Sequence, residues 1–183
     1  ESGKIGGHIA AASGMSAVIH THRAIQAGDG NLFIAGGVEN MTRGPLVISK
    51  SSRAYGRDMK LYDSSFGWRF VNPKMEDLYG TEGMGQTAEN LVSMYNISRE
   101  DQDKFAYHSQ MKAAKAQKSQ RFNKEIVAVE IPQRKKDPII FKDDDFIKPN
   151  TSIEILGKLR AAFKKDGSVT AGNSSGLNDG AAA

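Results

Sequence analysis

The feature that most constrains the fold is a helix pattern joined by a tight turn to a short, uninterrupted apolar run. Apolar residues spaced three and four apart, with Gly28 placed to stop them, predict a helix over about residues 14–27. After the turn at 28–30, the apolar run 31–35 predicts a buried strand that ends at the glycine pair 36–37. A helix followed by a wholly apolar strand predicts an α/β layer whose strands are covered on both faces.

From Thr42 to about Gly83 the periodicity gives way to polar residues and glycines with isolated aromatic side chains. Large aromatic side chains contribute heavily to packing, so this stretch is predicted to be an ordered insertion on another surface, with its aromatics buried. The aromatic residues concerned are Tyr55, Tyr62, Phe66, Trp68 and Phe70.

The second half of the chain alternates helix and strand signals. Helices are predicted near 86–95 and 99–120, the second capped by the Ser98 hydroxyl, and paired strands near 126–131 and 138–141. Thr151 and Glu154 have the spacing of a capping box, which predicts a short helix. Residues 168–171 are interpreted as a strand leading into a turn, and the final small residues as an interrupted strand or helix.

Composition excludes several classes of protein. A chain of 183 residues with 39% hydrophobic residues can bury one core, and zero cysteines exclude a disulfide scaffold and thiolate metal sites. The net charge of +4 comes from well-mixed charges and does not demand nucleic acid; a basic nucleic-acid module is an alternative that rests only on a pI near 9.2. No apolar stretch predicts a membrane span, no secretory signal is visible, and no histidine spacing predicts a metal site.

The first of four short motifs is Ala11-Ala12-Ser13-Gly14-Met15, at the start of the first helix. One interpretation is a small-residue helix end that packs closely under a strand. The other is that position 11 is the position of a reactive residue, because the positive end of a helix stabilises a thiolate and lowers its pKa. Alanine at this position cannot use that field.

The other three motifs are residues 36–41, 84–90 and 167–180. Taken alone, they are a tight turn after a strand, a capped helix start, and a segment whose small residues and amides either let backbone approach a ligand or form a plain hairpin. None of the three is specific by itself.

Together and in this order, the four motifs resemble those of the thiolases, with a similarity that runs from about Ile9 to Ala183. The resemblance implies an α/β fold: part of the N-terminal half of the layered αβαβα thiolase core, with an inserted α+β loop domain. It assigns residues 1–48 and 166–183 to the core. Residues 49–165 become the loop domain, which would hold coenzyme A (CoA) and contact other subunits.

In thiolases the cysteine of a Cys-x-Ser-Gly motif becomes acylated, and a second cysteine in the C-terminal half acts as acid and base. Ala11 stands at that nucleophile position, and the family's later motifs would follow the last residue shown. The resemblance implies an acyl-CoA C-acyltransferase that condenses acyl-CoA or thiolytically cleaves 3-ketoacyl-CoA in fatty acid metabolism, inactive in this form. Its substrates would be acetyl-CoA, acetoacetyl-CoA or longer 3-ketoacyl-CoA, without a permanently bound cofactor. The alternative is a non-catalytic CoA-binding or acyl-CoA-binding relative.

The resemblance also implies a substrate site. Met84 would line the pantetheine channel, and Lys148 would face the nucleotide end of CoA. Two departures are Ala161, where a proline is usual, and Gly83, where many members carry histidine. A cytoplasmic homodimer or homotetramer is expected by the same analogy. The remaining residues expected to contact CoA or its pantetheine arm are Phe163, Ala171, Ser175 and Leu177.

Overall fold

The computed structural model describes residues 13–65 and 67–183, which divide between two compact units. The first contains the chain up to Pro73 together with Gly176–Ala183, and the second contains Lys74–Ser175. Ala11 and Phe66 lie outside the described residues. No helix in the described ranges is both long and apolar enough to cross a membrane.

The first unit is built from one helix and two small antiparallel sheets. The predicted helix is confirmed, and Gly28 follows it with φ of 83°, donating its N–H to the Ile25 carbonyl at 3.1 Å as a helix-ending glycine does. Strand β1 pairs with β6, and β2 pairs with β3. These elements are α1 (Ser13–Ala27), β1 (Gly37–Glu39), β2 (Leu46–Ile48), β3 (Leu61–Asp63) and β6 (Gly180–Ala182).

The predicted buried strand at 31–35 is wrong. Leu32 and Ile34 are 88% and 84% exposed, and no segment among the described residues pairs with this run. The strand begins at Gly37 instead, where β6 supplies hydrogen-bonding partners in the register Gly37↔Ala182 and Glu39↔Gly180. A strand forms where a neighbouring backbone completes the ladder, and an apolar run alone does not specify that partner.

The stretch after Thr42 is ordered, as predicted. Strands β2 and β3 form a hairpin whose loop is closed by the Asp58 carboxylate, which accepts bonds from the Ser51 hydroxyl and the Ser52 N–H. The Tyr62 and Phe70 rings lie 5.1 Å apart. The expectation that the aromatics are buried is nevertheless wrong for Tyr55, which is fully exposed at a positive φ in the hairpin loop, and for the exposed Trp68 and Phe70.

The second unit contains most of the helical structure. The two predicted long helices are confirmed, and the Ser98 hydroxyl accepts the Asp101 N–H at 3.0 Å, as an N-cap should. The predicted strand pair is also confirmed, although each strand is shorter than predicted. The elements are α2 (Pro73–Tyr79), which begins at the last residue of the first unit, α3 (Met84–Tyr95), α4 (Arg99–Lys118), a 3₁₀ turn (Arg121–Lys124), β4 (Val129–Ile131), β5 (Ile139–Phe141) and α5 (Ile153–Gly157).

Two local predictions in the second unit are corrected. Helix α5 is capped by Ser152, which accepts the Ile155 N–H at 3.2 Å, rather than by Thr151 in a capping box. Residues 168–171 are not a strand, although Val169 and Thr170 are buried. Their backbone N–H groups are bound by side chains instead of by a neighbouring strand, so no ladder forms.

The pairing of β1 with β6 continues into a side-chain contact between Thr42 and Asp179. The Thr42 N–H and hydroxyl donate to the two Asp179 carboxylate oxygens at 3.0 and 2.9 Å, and these bonds lower the pKa of Asp179. A lowered folded-state pKa means that ionised Asp179 stabilises the fold above its unfolded-state pKa, near 3.9 for aspartate, and that this contribution disappears as pH falls through the folded-state pKa.

We therefore expect Asp179→Asn to destabilise the complete protein at neutral pH and to match wild type progressively better as the solution is acidified below about pH 4. Urea unfolding midpoints at a series of pH values measure this. Asp29→Asn is the control, since the Asp29 side chain makes no hydrogen bond within the described part of the chain. A deficit for Asp179→Asn that is the same at neutral and acidic pH would contradict the assignment.

Candidate functional site

The fold brings different parts of motif 167–180 against two other motifs, one within each unit. In the first unit, motif 36–41 meets the last residues of the chain through the β1 and β6 pairing and the contact between Thr42 and Asp179. In the second unit, motif 84–90 meets the segment 167–175. Ala11 and Ala12 of the first motif lie outside the described residues, whereas its last three residues, Ser13 to Met15, begin α1.

Glu89 of α3 makes the contact between the second pair of motifs. Its side chain is 2% exposed, and Oε1 accepts the backbone N–H groups of Ser168 at 2.9 Å and Val169 at 2.7 Å. A Cβ on Gly167 would overlap this carboxylate, so glycine is required for the close approach. A buried carboxylate needs such donors, and Glu89 thereby fixes the backbone of 168–169 against α3.

A second buried carboxylate, Asp103 of α4, holds the end of the same segment. Asp103 is 3% exposed; Oδ2 pairs with Arg99 Nε at 2.8 Å, and Oδ1 accepts a hydrogen from Asn173 Nδ2 at 3.0 Å. Arg99 also donates through Nη2 to the Leu156 and Leu159 carbonyls at 2.7 and 3.1 Å. The arginine therefore neutralises Asp103 and ties α4 to the end of α5.

The turn at 170–174 is held by its own polar side chains. Thr170, fully buried, accepts the N–H groups of Gly172 and Asn173 on Oγ1 at 3.1 and 3.3 Å. The Ser174 hydroxyl donates to the Thr170 carbonyl at 2.6 Å. Ala171, within this turn, and Ser175, directly after it, are the two residues predicted to contact CoA here, and both are exposed. These bonds hold the inner side of the turn, and its outer side is accessible to solvent.

Two further predicted residues come together at the start of α3. Met84 is its first residue and is exposed, while the half-exposed Phe163 ring packs so closely on Gly85 that a Cβ at position 85 would overlap it. Glycine at 85 therefore lets Phe163 lie beside the beginning of the helix. Methionine and phenylalanine offer the apolar wall that a narrow thioester arm requires.

The last two predicted residues lie elsewhere. The Lys148 N–H donates to Gln110 Oε1 at 2.8 Å, and its ammonium donates to the Asp145 carbonyl at 3.2 Å and lies 6.0 Å from the centre of the Phe146 ring. Leu177 is exposed and belongs to the first unit, whereas the other predicted residues belong to the second. Contact between CoA and any of these residues stays a prediction.

Sequence reasoning missed the residues that organise the site. The sequence of motif 84–90 predicts a capped helix start, which assigns no role to Glu89. The sequence patterns likewise assign no role to the side chains of Asp103 and Asn173. One usable signal was present: Glu89 lies three residues before Val92, beside the apolar face of α3. The N–H groups that such a carboxylate accepts lie about eighty residues further on, at Ser168 and Val169, and no local pattern identifies them.

Comparison with known proteins places this arrangement in a family. A family model, the thiolase N-terminal domain, matches residues 8–183. Beta-ketoadipyl-CoA thiolase of Acinetobacter baylyi is 52% identical over 171 residues, which cover 93% of this chain and 43% of the relative. A probable acetyl-CoA acyltransferase of Staphylococcus epidermidis is 48% identical over 180 residues, covering 93% of this chain and 42% of the relative.

A solved structure gives the same result. The crystal structure of human mitochondrial 3-ketoacyl-CoA thiolase in complex with CoA is similar with a TM-score of 0.73 and 34% identity, over 93% of this chain and 41% of that one. The predicted fold class is thereby confirmed. The chain spans about two fifths of the length of the curated relatives it matches.

The buried Glu89 generates a prediction about the whole segment that it holds. Glu89→Ala leaves two backbone N–H groups without their acceptor, so we expect a loss of about 1–3 kcal/mol in unfolding free energy and faster hydrogen exchange at the Ser168 and Val169 amides. Urea unfolding and amide exchange measure the two effects.

Glu100→Ala is the matched control, because Glu100 is exposed in the first turn of α4. It should change stability by at most about 1 kcal/mol through the helix dipole and leave the two amides unaffected. Unchanged exchange at Ser168 and Val169 in the Glu89→Ala variant would show that the carboxylate does not hold the segment.

Proposed function

Because this chain belongs to the thiolase family, we propose that the complete protein is an acyl-CoA C-acyltransferase built to condense acyl-CoA or to cleave 3-ketoacyl-CoA. The observation that carries the proposal is the family match over residues 8–183, which includes all four motifs. The reaction would be ping-pong acyl transfer, in which a cysteine at position 11 takes the acyl group as a thioester and a second thiol accepts it.

The part proposed for this chain is binding of the thioester arm. Met84 and Phe163 would form an apolar wall at the start of α3, and Ala171 and Ser175 would offer a small surface and a hydroxyl beside it. Lys148 would offer a positive charge for the phosphates at the nucleotide end. Leu177, in the first unit, is proposed as a CoA contact on the family resemblance alone. All of these residues, Lys148 included, are exposed, which supports access by a ligand. The division into core residues 1–48 and 166–183 and loop domain 49–165 belongs to this proposal.

Ala11 decides whether the proposed reaction proceeds in this form of the protein. Alanine has no nucleophilic atom, so no acyl-enzyme can form at position 11 and the chain as it stands would bind CoA esters without turning them over. That same residue supports the second candidate, a non-catalytic protein that binds CoA or acyl-CoA.

Substrate and assembly are proposed at a coarser level. The named relatives act on beta-ketoadipyl-CoA or are acetyl-CoA acyltransferases, which supports 3-ketoacyl-CoA esters, acetoacetyl-CoA included, as the class to test. A homodimer or homotetramer is proposed on the family resemblance alone. Participation in fatty acid metabolism and a cytoplasmic location are proposals of the same kind.

The decisive experiment restores the nucleophile. In the complete protein, Ala11→Cys should gain CoA-dependent cleavage of acetoacetyl-CoA or 3-oxoadipyl-CoA, measured by chromatography of the CoA esters, at least about a thousandfold above the unsubstituted protein. Ala11→Ser is the control, since a hydroxyl at that site is a far weaker nucleophile than a thiolate.

The outcomes separate the two candidates. Cleavage by Ala11→Cys supports the enzyme. CoA binding with no turnover in that variant supports the non-catalytic protein, and absence of both binding and turnover contradicts each of them.

A further inference from the structure

In the second unit, the side-chain amide of Asn173 accepts one hydrogen bond with its oxygen and donates both of its hydrogens. Oδ1 accepts the Thr170 N–H at 2.7 Å, while Nδ2 donates to Asp103 Oδ1 at 3.0 Å and to the Ser168 carbonyl at 3.1 Å. One acceptor site and both amide hydrogens therefore have partners, and these partners fix which way the amide points. Of the standard side chains this short, only that of asparagine offers an acceptor and two donors.

Each partner of Asn173 is itself held in place. Asp103 is paired with Arg99, so it stays available as a charged acceptor, and Thr170 is fully buried. Ser168 is fixed by Glu89 through its N–H and by Gln102, whose Nε2 donates to the Ser168 hydroxyl at 2.9 Å. Asn173 therefore connects α4, the 168–170 segment and the turn through bonds in the partly buried interior.

The outward side of the same turn carries the residues proposed to meet the ligand. Ala171 and Ser175 are exposed, while Asn173 is directed to Asp103, Thr170 and Ser168. A binding surface whose loop is ordered before the ligand arrives does not lose affinity to loop ordering, so such internal bonds act on affinity without touching the ligand.

We propose that Asn173 is a positioning residue, which fixes the turn at 170–174 in the conformation that receives the pantetheine arm of CoA. The inference rests on the proposed function, since it assumes that Ala171 and Ser175 face that arm. Asn173 would act on the ligand only through the turn. Its substitution would therefore weaken binding of the pantetheine end of CoA and not of the nucleotide end.

The test compares ligands that carry different ends of CoA. In the complete protein, Asn173→Ala should weaken binding of CoA and of pantetheine about tenfold, because the turn loses three internal bonds. Binding of adenosine 3′,5′-bisphosphate, which lacks the pantetheine arm, should be unchanged. Isothermal titration calorimetry measures all three, with Asn123→Ala, an exposed asparagine of the 3₁₀ turn, as the matched control.

A second variant guards against a trivial loss of folding. Asn173→Asp keeps the acceptor for the Thr170 N–H but turns a second carboxylate toward Asp103, so it should show the same selective loss for pantetheine-bearing ligands. Equal loss of all ligands in both variants would overturn the inference, because it would assign Asn173 to the fold as a whole.

The two proposals fail in different ways. Wild-type protein that binds neither CoA nor pantetheine contradicts the proposed function. Wild-type protein that binds CoA, with unchanged affinity in Asn173→Ala, contradicts the positioning inference and leaves the proposed function standing.

Discussion

The buried carboxylate of Glu89 is the contact on which the proposed binding surface depends. A charged group at 2% exposure is stable only if donors replace the water it has lost, and here two consecutive backbone N–H groups do so. The apolar side chains that are buried in the described residues are Leu156 and Val169. The polar bonds of Glu89, Asp103 and Asn173 hold the segment 168–173 against α3 and α4 in the second unit.

The two parts of the proposed function, ligand binding and acyl transfer, rest on different residues of this chain. Among the proposed arm-binding residues, Ala171 and Ser175 flank side chains that belong to a hydrogen-bond network within the second unit. The acyl-accepting position is a different matter, since Ala11 has no group that can be acylated. The proposals for ligand binding and for acyl transfer can therefore be tested separately.

The sequence predicted a helix or strand correctly where the residues that specify it lie close to it along the chain. The helices at 13–27, 84–95 and 99–118 were predictable because spacing, a Ser98 cap and a stopping Gly28 all lie within a few residues of the element. The strand predictions at 31–35 and 168–171 were wrong because strands need partners. In the first case β6 pairs two residues further on, and in the second Glu89 and Asn173 occupy the N–H groups. The residues expected to contact CoA came from resemblance to a family, while the network behind them joins positions seventy to eighty residues apart and left almost no local trace.

We propose above all that this chain presents a surface for the pantetheine arm of CoA. Hydrogen exchange of the complete protein, followed by mass spectrometry with and without CoA, tests it most directly. We expect CoA to slow exchange in the peptides that contain 168–175 and the start of α3, and to leave exchange in the β2 and β3 hairpin unchanged. Saturating CoA that slows exchange in neither peptide would contradict it.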